Sequence, residues 1–303
     1  MVEEEIINDE SRVDRPSTLR KLYVWWRTWP VMPMAIILFL ILAALFAPLI
    51  SNHDPTFSNL RDRHIPPMWL EGGSSEHILG TDPVGRDMFS RIIYGARVSL
   101  MVAAVVLTGG IVGGTLLGLV SGWAGGNVDE ILMRFVDFTF AVPFILVALV
   151  VVIVLGQSLT VIIILLVLFS WGGFARFIRG EVLHLKHEDY VAAARVCGAS
   201  TTRIFWKHLL PGTINSLMVL TSLRVGGLIL TESILSYLGV GIPPPTPAWG
   251  VMVAAGRSYV DTAWWVTMFP GLAILLVVLA FNFMGDWLRD YFDPKLRQIS
   301  PYN

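Results

Sequence analysis

Few residues in this chain have types and spacings that could do chemistry. His187-Glu188 opens like the H-E-x-x-H of zinc proteases, but the second histidine is missing; that chemistry needs two imidazoles one helical turn apart with the glutamate as base. His184 and His187 lie one turn apart near Glu188, a spacing that solvated histidines explain without a metal. The sequence has no G-x-S-x-G elbow, no N-x-[ST] acceptor and no G-x-x-x-x-G-K-[ST] phosphate loop. No catalytic residue, metal ligand or cofactor is therefore assigned to the chain. Cys197 is the single cysteine, which excludes an internal disulfide.

A second set of residues draws notice by its surroundings. Arg224 and Glu232 interrupt an apolar run, and Asp137 stands at the edge of another. A charge at the centre of a membrane helix costs about 2.5–3.5 kcal/mol on insertion scales, so each must face protein or water. Eight residues apart, Arg224 and Glu232 are separated by about 12 Å along a helix and roughly 80° around it, which argues against a direct pair. Two readings stay open. They satisfy neighbouring helices, or they line a route for a polar solute.

The elements that must hold these residues are membrane spans. Hydrophobic residues make up 54% and charged residues 15% of 303, against about a quarter charged in a soluble domain. A net charge of −1 gives no sign of nucleic acid. Apolar runs at 31–50, 100–120, 136–155, 159–178, 214–240 and 266–284 each approach the twenty residues that cross the hydrocarbon. The expectation is an all-α, polytopic protein with six transmembrane helices.

Lysine and arginine cluster in the N-terminal tail (Arg12 to Arg27), between spans four and five (Arg176 to Lys207) and after span six (Arg289, Lys295, Arg297). By the positive-inside rule both termini are cytoplasmic. The division is then a tail at 1–30, a first span, and an outer loop subdomain at 51–99. A five-helix core follows at 100–284, with a cytoplasmic loop at 180–212, and a tail at 285–303 ends the chain. The long acidic start, Glu3-Glu4-Glu5, speaks against a cleaved signal peptide. Trp25, Trp26, Trp29, Trp264 and Trp265 suit interfacial belts. Gly110, Gly114, Gly118 and Gly122 recur every fourth residue, predicting a stripe on which another helix packs closely. Pro143 predicts a kink in span three.

The loop between spans four and five reads as two short helices. Asp189 and Tyr190 open the first, with Ala192, Ala193, Ala194 and Arg195 in its body, and Gly198 stops it before Ala199. Ser200 is a suitable N-cap for the second. Ile204, Phe205 and His208 form one face, and Pro211-Gly212 ends it. Small residues at such a corner let another surface approach without a side-chain buffer.

This loop resembles the coupling loop of ABC-importer permeases, in which an Ala-Ala pair, a glycine four residues on and a later Leu-Pro recur. Ala193-Ala194, Gly198 and Leu210-Pro211 match, whereas Ala192 replaces the expected glutamate. Leu79–Asp87, Tyr94–Leu100, Gly122–Gly126, Ser236–Gly239 and Gly285–Asp286 are similar to segments of the dipeptide/oligopeptide permease family. The resemblance runs from the first span onward.

What it implies is a type I ABC importer permease in the cell inner membrane. Such a subunit pairs with a second homologous permease and two cytoplasmic ATPases, which bind ATP and Mg, and receives solute from an extracytoplasmic binding protein. Peptides are the implied cargo; nickel chelates or oligosaccharides are carried by similar chains, and an ion-driven carrier is the contrasting class. Asp189, Tyr190, Ala193, Ala194, Arg195, Gly198, Ala199, Ile204, Phe205, His208 and Pro211 would then meet the ATPase. Glu232, beside the matching Glu232-Ser233 segment, is the stronger path residue and Arg224 the weaker.

Overall fold

The computed structural model describes residues 30–292; the acidic start, the first three belt tryptophans and the last basic residues lie outside this range. Among the described residues regular structure is helical, with one isolated β-bridge between Thr81 and Asp87. The helices are α1 (Val31–Leu45), α2 (Ala47–Ile50), α3 (Met88–Ala124), α4 (Gly126–Ala141), α5 (Phe144–Leu155) and α6 (Leu159–Leu185). They continue as α7 (Asp189–Val196), α8 (Thr201–Ile204), α9 (Leu210–Tyr237), α10 (Trp249–Gly256) and α11 (Trp265–Phe292).

Among the described residues four stretches are long and apolar enough to cross a membrane: α3, α6, α11 and the run Thr201–Tyr237 that joins α8 to α9. Span three is not one rod. α4 and α5 meet at 77°, with Val142 and Pro143 extended between them. Pro143 lacks the N–H that a continued helix needs. Span one also divides. α1 has 15 residues, about 22 Å of helix, and Pro48 in the first turn of α2 removes a donor just past the break at Phe46. The six expected runs thus appear as four long helices, one bent pair and one short helix.

The glycine stripe does what its spacing predicts. A Cβ on Gly110, Gly114, Gly118 or Gly122 would come within 2.3–2.8 Å of Ser170, Phe174, Trp171, Ala175 or Val182 atoms, all on α6. Without side chains there, α3 and α6 pack backbone to side chain along their length. α9 and α11 make a second close pair, with Gly285 against Leu223 and Gly226 against the Val278 backbone. The largest buried cluster joins Leu40 and Ala44 of α1, Ala96 and Ala103 of α3, Ile229 of α9, Trp249 of α10 and Val277 of α11.

Between α2 and α3 the chain is irregular apart from a 3-10 turn at Leu60–Asp62. Polar side chains organise it. Thr81 Oγ donates to the Asp62 carbonyl and accepts from Ile65 N–H at 2.8 Å. Asp82 accepts from Arg86 Nε at 2.6 Å, and the buried Arg91 donates to the Pro55 carbonyl at 2.8 Å. Trp265 is not a belt residue. It is buried, and its Nε1 donates to the Thr81 carbonyl at 3.1 Å, fixing this segment to the start of α11.

Candidate functional site

The loop after α6 is built from local signals. α7 ends in a complete Schellman turn: Ala199 N–H bonds to Ala194 O and Gly198 N–H to Arg195 O, both at 3.0 Å. Gly198 has φ +78°, a conformation that a Cβ penalises. Ser200 then caps α8 by accepting from Arg203 N–H at 3.3 Å.

Pro211-Gly212 does not end the second helix, contrary to expectation. A π-helical turn at Phe205–Leu209 lets Leu210 N–H bond back to Phe205 O. This shift of register accommodates the missing proline donor, and the helix runs on into α9. The second half of the loop, from Thr201, and the longest part of span five are consequently one continuous rod.

Packing decides which loop residues face outward. Val191, Ile204 and Leu209 are buried with Leu119, Ile178 and Val182 from the ends of α3 and α6. Ile204 is 1% exposed, so it anchors the loop to its own chain and cannot belong to an outward contact face. Phe205 sets its edge against Trp123 at 5.6 Å, and Arg195 stacks over the same ring at 4.2 Å. His208 lies beside Tyr190, with ring centres 6.1 Å apart. Burial first, then the nearby Glu188, raises the Tyr190 phenol above its ordinary value. Asp189, Ala193, Gly198 and Pro211 are exposed, and Ala194 and Ala199 half-buried. Two exposed large apolar residues of the loop were not singled out from sequence: Val196, at 89%, and Trp206.

The base of the loop carries an ion pair that local sequence could not reveal. Arg179 of α6 donates through Nε and Nη2 to both oxygens of Asp129 in α4, at 2.5 and 2.6 Å. Ser121 Oγ of α3 also donates to this carboxylate. The bidentate geometry fixes orientation as well as distance. Lys186 Nζ adds a bond to the Gly122 carbonyl at 3.2 Å. Asp137 is likewise accounted for by a partner, Arg176, at 2.5 Å.

Arg224 and Glu232 point to different places. Arg224 lines a cavity of 430 Å³ in the angle between α4 and α5, shared with Thr139, Phe140, Pro143, Ser170 and Thr231. Its guanidinium lies against Gly173, where a Cβ would approach Nη2 to 2.6 Å. Glu232 is 1% exposed and is absent from that cavity wall. Its Oε1 accepts from Ser236 Oγ at 2.7 Å, while Oε2 is buried without a partner. The expected ranking is therefore reversed by geometry: the arginine opens onto space and the glutamate is enclosed by its own chain.

Four helices long and apolar enough to cross a membrane, tightly paired, with a helical loop at their ends, define an integral membrane protein. The model of the binding-protein-dependent transport system inner membrane component matches residues 114–298. That of the N-terminal TM domain of oligopeptide transport permease C matches residues 31–67. The chain belongs to the family of binding-protein-dependent transport system inner membrane components.

It is 41% identical over 264 residues to a di/tripeptide transport system permease protein of Pseudomonas aeruginosa, covering 87% of each chain. It is 39% identical over 265 residues to an oligopeptide transport system permease protein of Bacillus subtilis, covering 88% of this chain and 85% of that one. A glutathione transport system permease protein of Pectobacterium atrosepticum is 45% identical over 227 residues, 75% of each chain. In fold, the chain is similar to the inward-facing MetNI methionine ABC transporter, with a TM-score of 0.57 at 19% identity, covering 68% of this chain and 98% of that one.

Proposed function

We propose that this chain is one of two homologous membrane subunits of an ATP-driven importer of peptides. It crosses the inner membrane six times with both termini and the α7–α8 loop in the cytoplasm. Two cytoplasmic ATPase subunits bind ATP and Mg and dock on that loop, and an extracytoplasmic binding protein delivers the cargo. The chain itself catalyses nothing. The observation that carries this reading is the continuity of the rod from Ser200 through the π turn to Arg224. A helix moves as a unit, so a push at the loop reaches the cavity wall about 20 Å from Leu210.

The peptide cargo rests on the names of the relatives, all peptide or glutathione systems, and on a cavity whose one charged wall residue is a cation suited to a peptide carboxylate. The deciding experiment reconstitutes the full complex in proteoliposomes and follows labelled di- and oligopeptides. ATP-dependent uptake that stops when the binding protein is left out supports the proposal. Uptake driven by an ion gradient without ATP would replace it with a secondary carrier. Nickel-chelate or oligosaccharide uptake, with peptides ignored, would keep the machine and change the cargo.

A further inference from the structure

A group of potential metal ligands lies far from the loop and cavity. Among the described residues His53, His77 and Asp87 each offer one ligand atom, and these atoms lie within 4.8 Å of one another. They come from the turn after α2, the irregular segment and the N-cap of α3. His77 and Asp87 are 8% and 4% exposed. His77 Nδ1 stands 3.0 Å from Asp87 Oδ1, close to the roughly 3.3 Å between two ligands of a tetrahedral ion whose bonds are about 2.0–2.1 Å. The His53 and His77 rings are 4.9 Å apart at 34°, and His53 Nδ1 is buried with no hydrogen-bond partner.

We infer that these three residues bind a zinc-type divalent transition-metal ion, which ties the α2–α3 segment to the start of α3. Two imidazole nitrogens and a carboxylate oxygen form a donor set that suits such ions over Mg²⁺ or Ca²⁺. The ion takes the place of the direct His77–Asp87 contact, and His53 swings in by a ring rotation to complete three ligands. A fourth, water, reaches it from the 460 Å³ cavity beside His53, which Asn52, Asp54 and Tyr94 also line.

The residues around the group hold it in place, as the partners of metal ligands do. Asp87 Oδ2 accepts from Ser90 N–H at 2.7 Å. His53 N–H donates to Ser90 Oγ at 3.3 Å, and the His53 carbonyl accepts from Ser51 Oγ at 2.6 Å. One serine at the start of α3 thus holds the Asp87 carboxylate and the backbone of His53. Nothing in this arrangement depends on the cargo or on the loop.

The test uses the assembled complex, purified without a histidine tag, stripped with chelator and titrated with Zn²⁺. The wild type is expected to bind one more ion per chain than His53→Ala, whose affinity at that site falls at least about tenfold. Asp87→Asn keeps an oxygen for the Ser90 cap but loses the charged ligand, and is expected to weaken binding similarly. Zinc should raise the melting temperature of the wild type only. Cobalt should give a visible d–d absorption that zinc displaces. Equal zinc content in wild type and His53→Ala, or a wild-type melting temperature that zinc leaves unmoved, would overturn the site. If His53→Ala fails to assemble, the wild-type cobalt spectrum decides: absorption supports the site and its absence refutes it.

Discussion

The Arg195 guanidinium rests 4.2 Å from the centre of the Trp123 ring, linking the loop helix α7 to the end of α3. Phe205 meets the same indole edge-on from the start of the π turn. One aromatic residue thereby holds both short helices of the loop. A surface cation–π contact contributes about 0.5–1 kcal/mol, and an aromatic pair about 0.5–1.5 kcal/mol beyond its buried area. Trp123→Ala removes both contacts at once. It is expected to lower peptide uptake several-fold per ATP hydrolysed in proteoliposomes, with Arg195→Ala showing a smaller loss. Unchanged coupling in Trp123→Ala would mean that the loop keeps its position by burial of Ile204 and Leu209 alone.

Gly198 allows conformation and contact to be separated. At φ +78° a non-glycine residue pays about 1–2 kcal/mol, yet among the described residues nothing beyond its chain neighbours lies within 4 Å of an added Cβ. Asparagine tolerates this geometry better than other side chains do. Gly198→Asn should therefore preserve expression and melting temperature. If an ATPase docks there, it should still lower uptake relative to hydrolysis, and Gly198→Leu should do so more. Full transport by a folded Gly198→Leu complex would exclude docking at this corner.

The glycine stripe makes a paired prediction about stability. A Cβ at Gly114 would stand 2.5 Å from both the Phe174 Cβ and the Trp171 carbonyl, and backbone cannot swing away. Gly114→Ala is expected to destabilise the chain by about 1–3 kcal/mol through overpacking, read as a lower melting temperature in detergent. Gly113→Ala is the control, because its nearest neighbour would be Trp171 Cβ at an ordinary 3.8 Å. Equal losses in both variants would point to a general helix effect instead of the α3–α6 contact.

What the sequence made legible was mostly local. Glycines four apart must share a helix face, and Gly198 and Ser200 carry their capping roles in their own chemistry. The Asp129–Arg179 clamp was not legible, because its partners lie 50 residues apart and neither has a motif. Pro143 announced a break, but its 77° bend depends on how α4 and α5 pack on α6. Pro211-Gly212 was misread as a stop because the π turn that absorbs the missing donor leaves no mark in the sequence. Trp265 was misread as an interfacial anchor because an indole serves a lipid headgroup and the Thr81 carbonyl equally well.

Cys197 gives a direct reading of topology. It is the single cysteine and is exposed at the end of α7. In sealed cells a membrane-impermeant maleimide should leave it unlabelled, and inverted vesicles stripped of the ATPase subunits should label it. With Cys197→Ser as background, a cysteine at the half-exposed Met68 should show the opposite pattern. Labelling of Cys197 from outside would invert the proposed orientation.

The last prediction concerns the two charges of α9. Arg224 faces the cavity and makes no hydrogen bond or ion pair within the described residues. Glu232 is enclosed, with one oxygen bonded to Ser236 and the other unpartnered. A side chain buried inside one subunit cannot touch a solute passing between two. Arg224→Gln is therefore expected to reduce uptake of free-carboxylate peptides at least about tenfold, the loss of a charge-assisted hydrogen bond of about 1.5–3 kcal/mol, with assembly intact. Arg224→Lys should recover part of it, since an ammonium keeps the charge without the planar fork. Glu232→Gln keeps the acceptor for Ser236 and removes a potential buried charge, so uptake and assembly should both stay near wild type. Glu232→Ala leaves a cavity and takes away the acceptor of the Ser236 hydroxyl proton, and should lower the melting temperature. Were Glu232→Gln to abolish uptake in a fully assembled complex while Arg224→Gln transported normally, the assignment of the two residues would have to be exchanged.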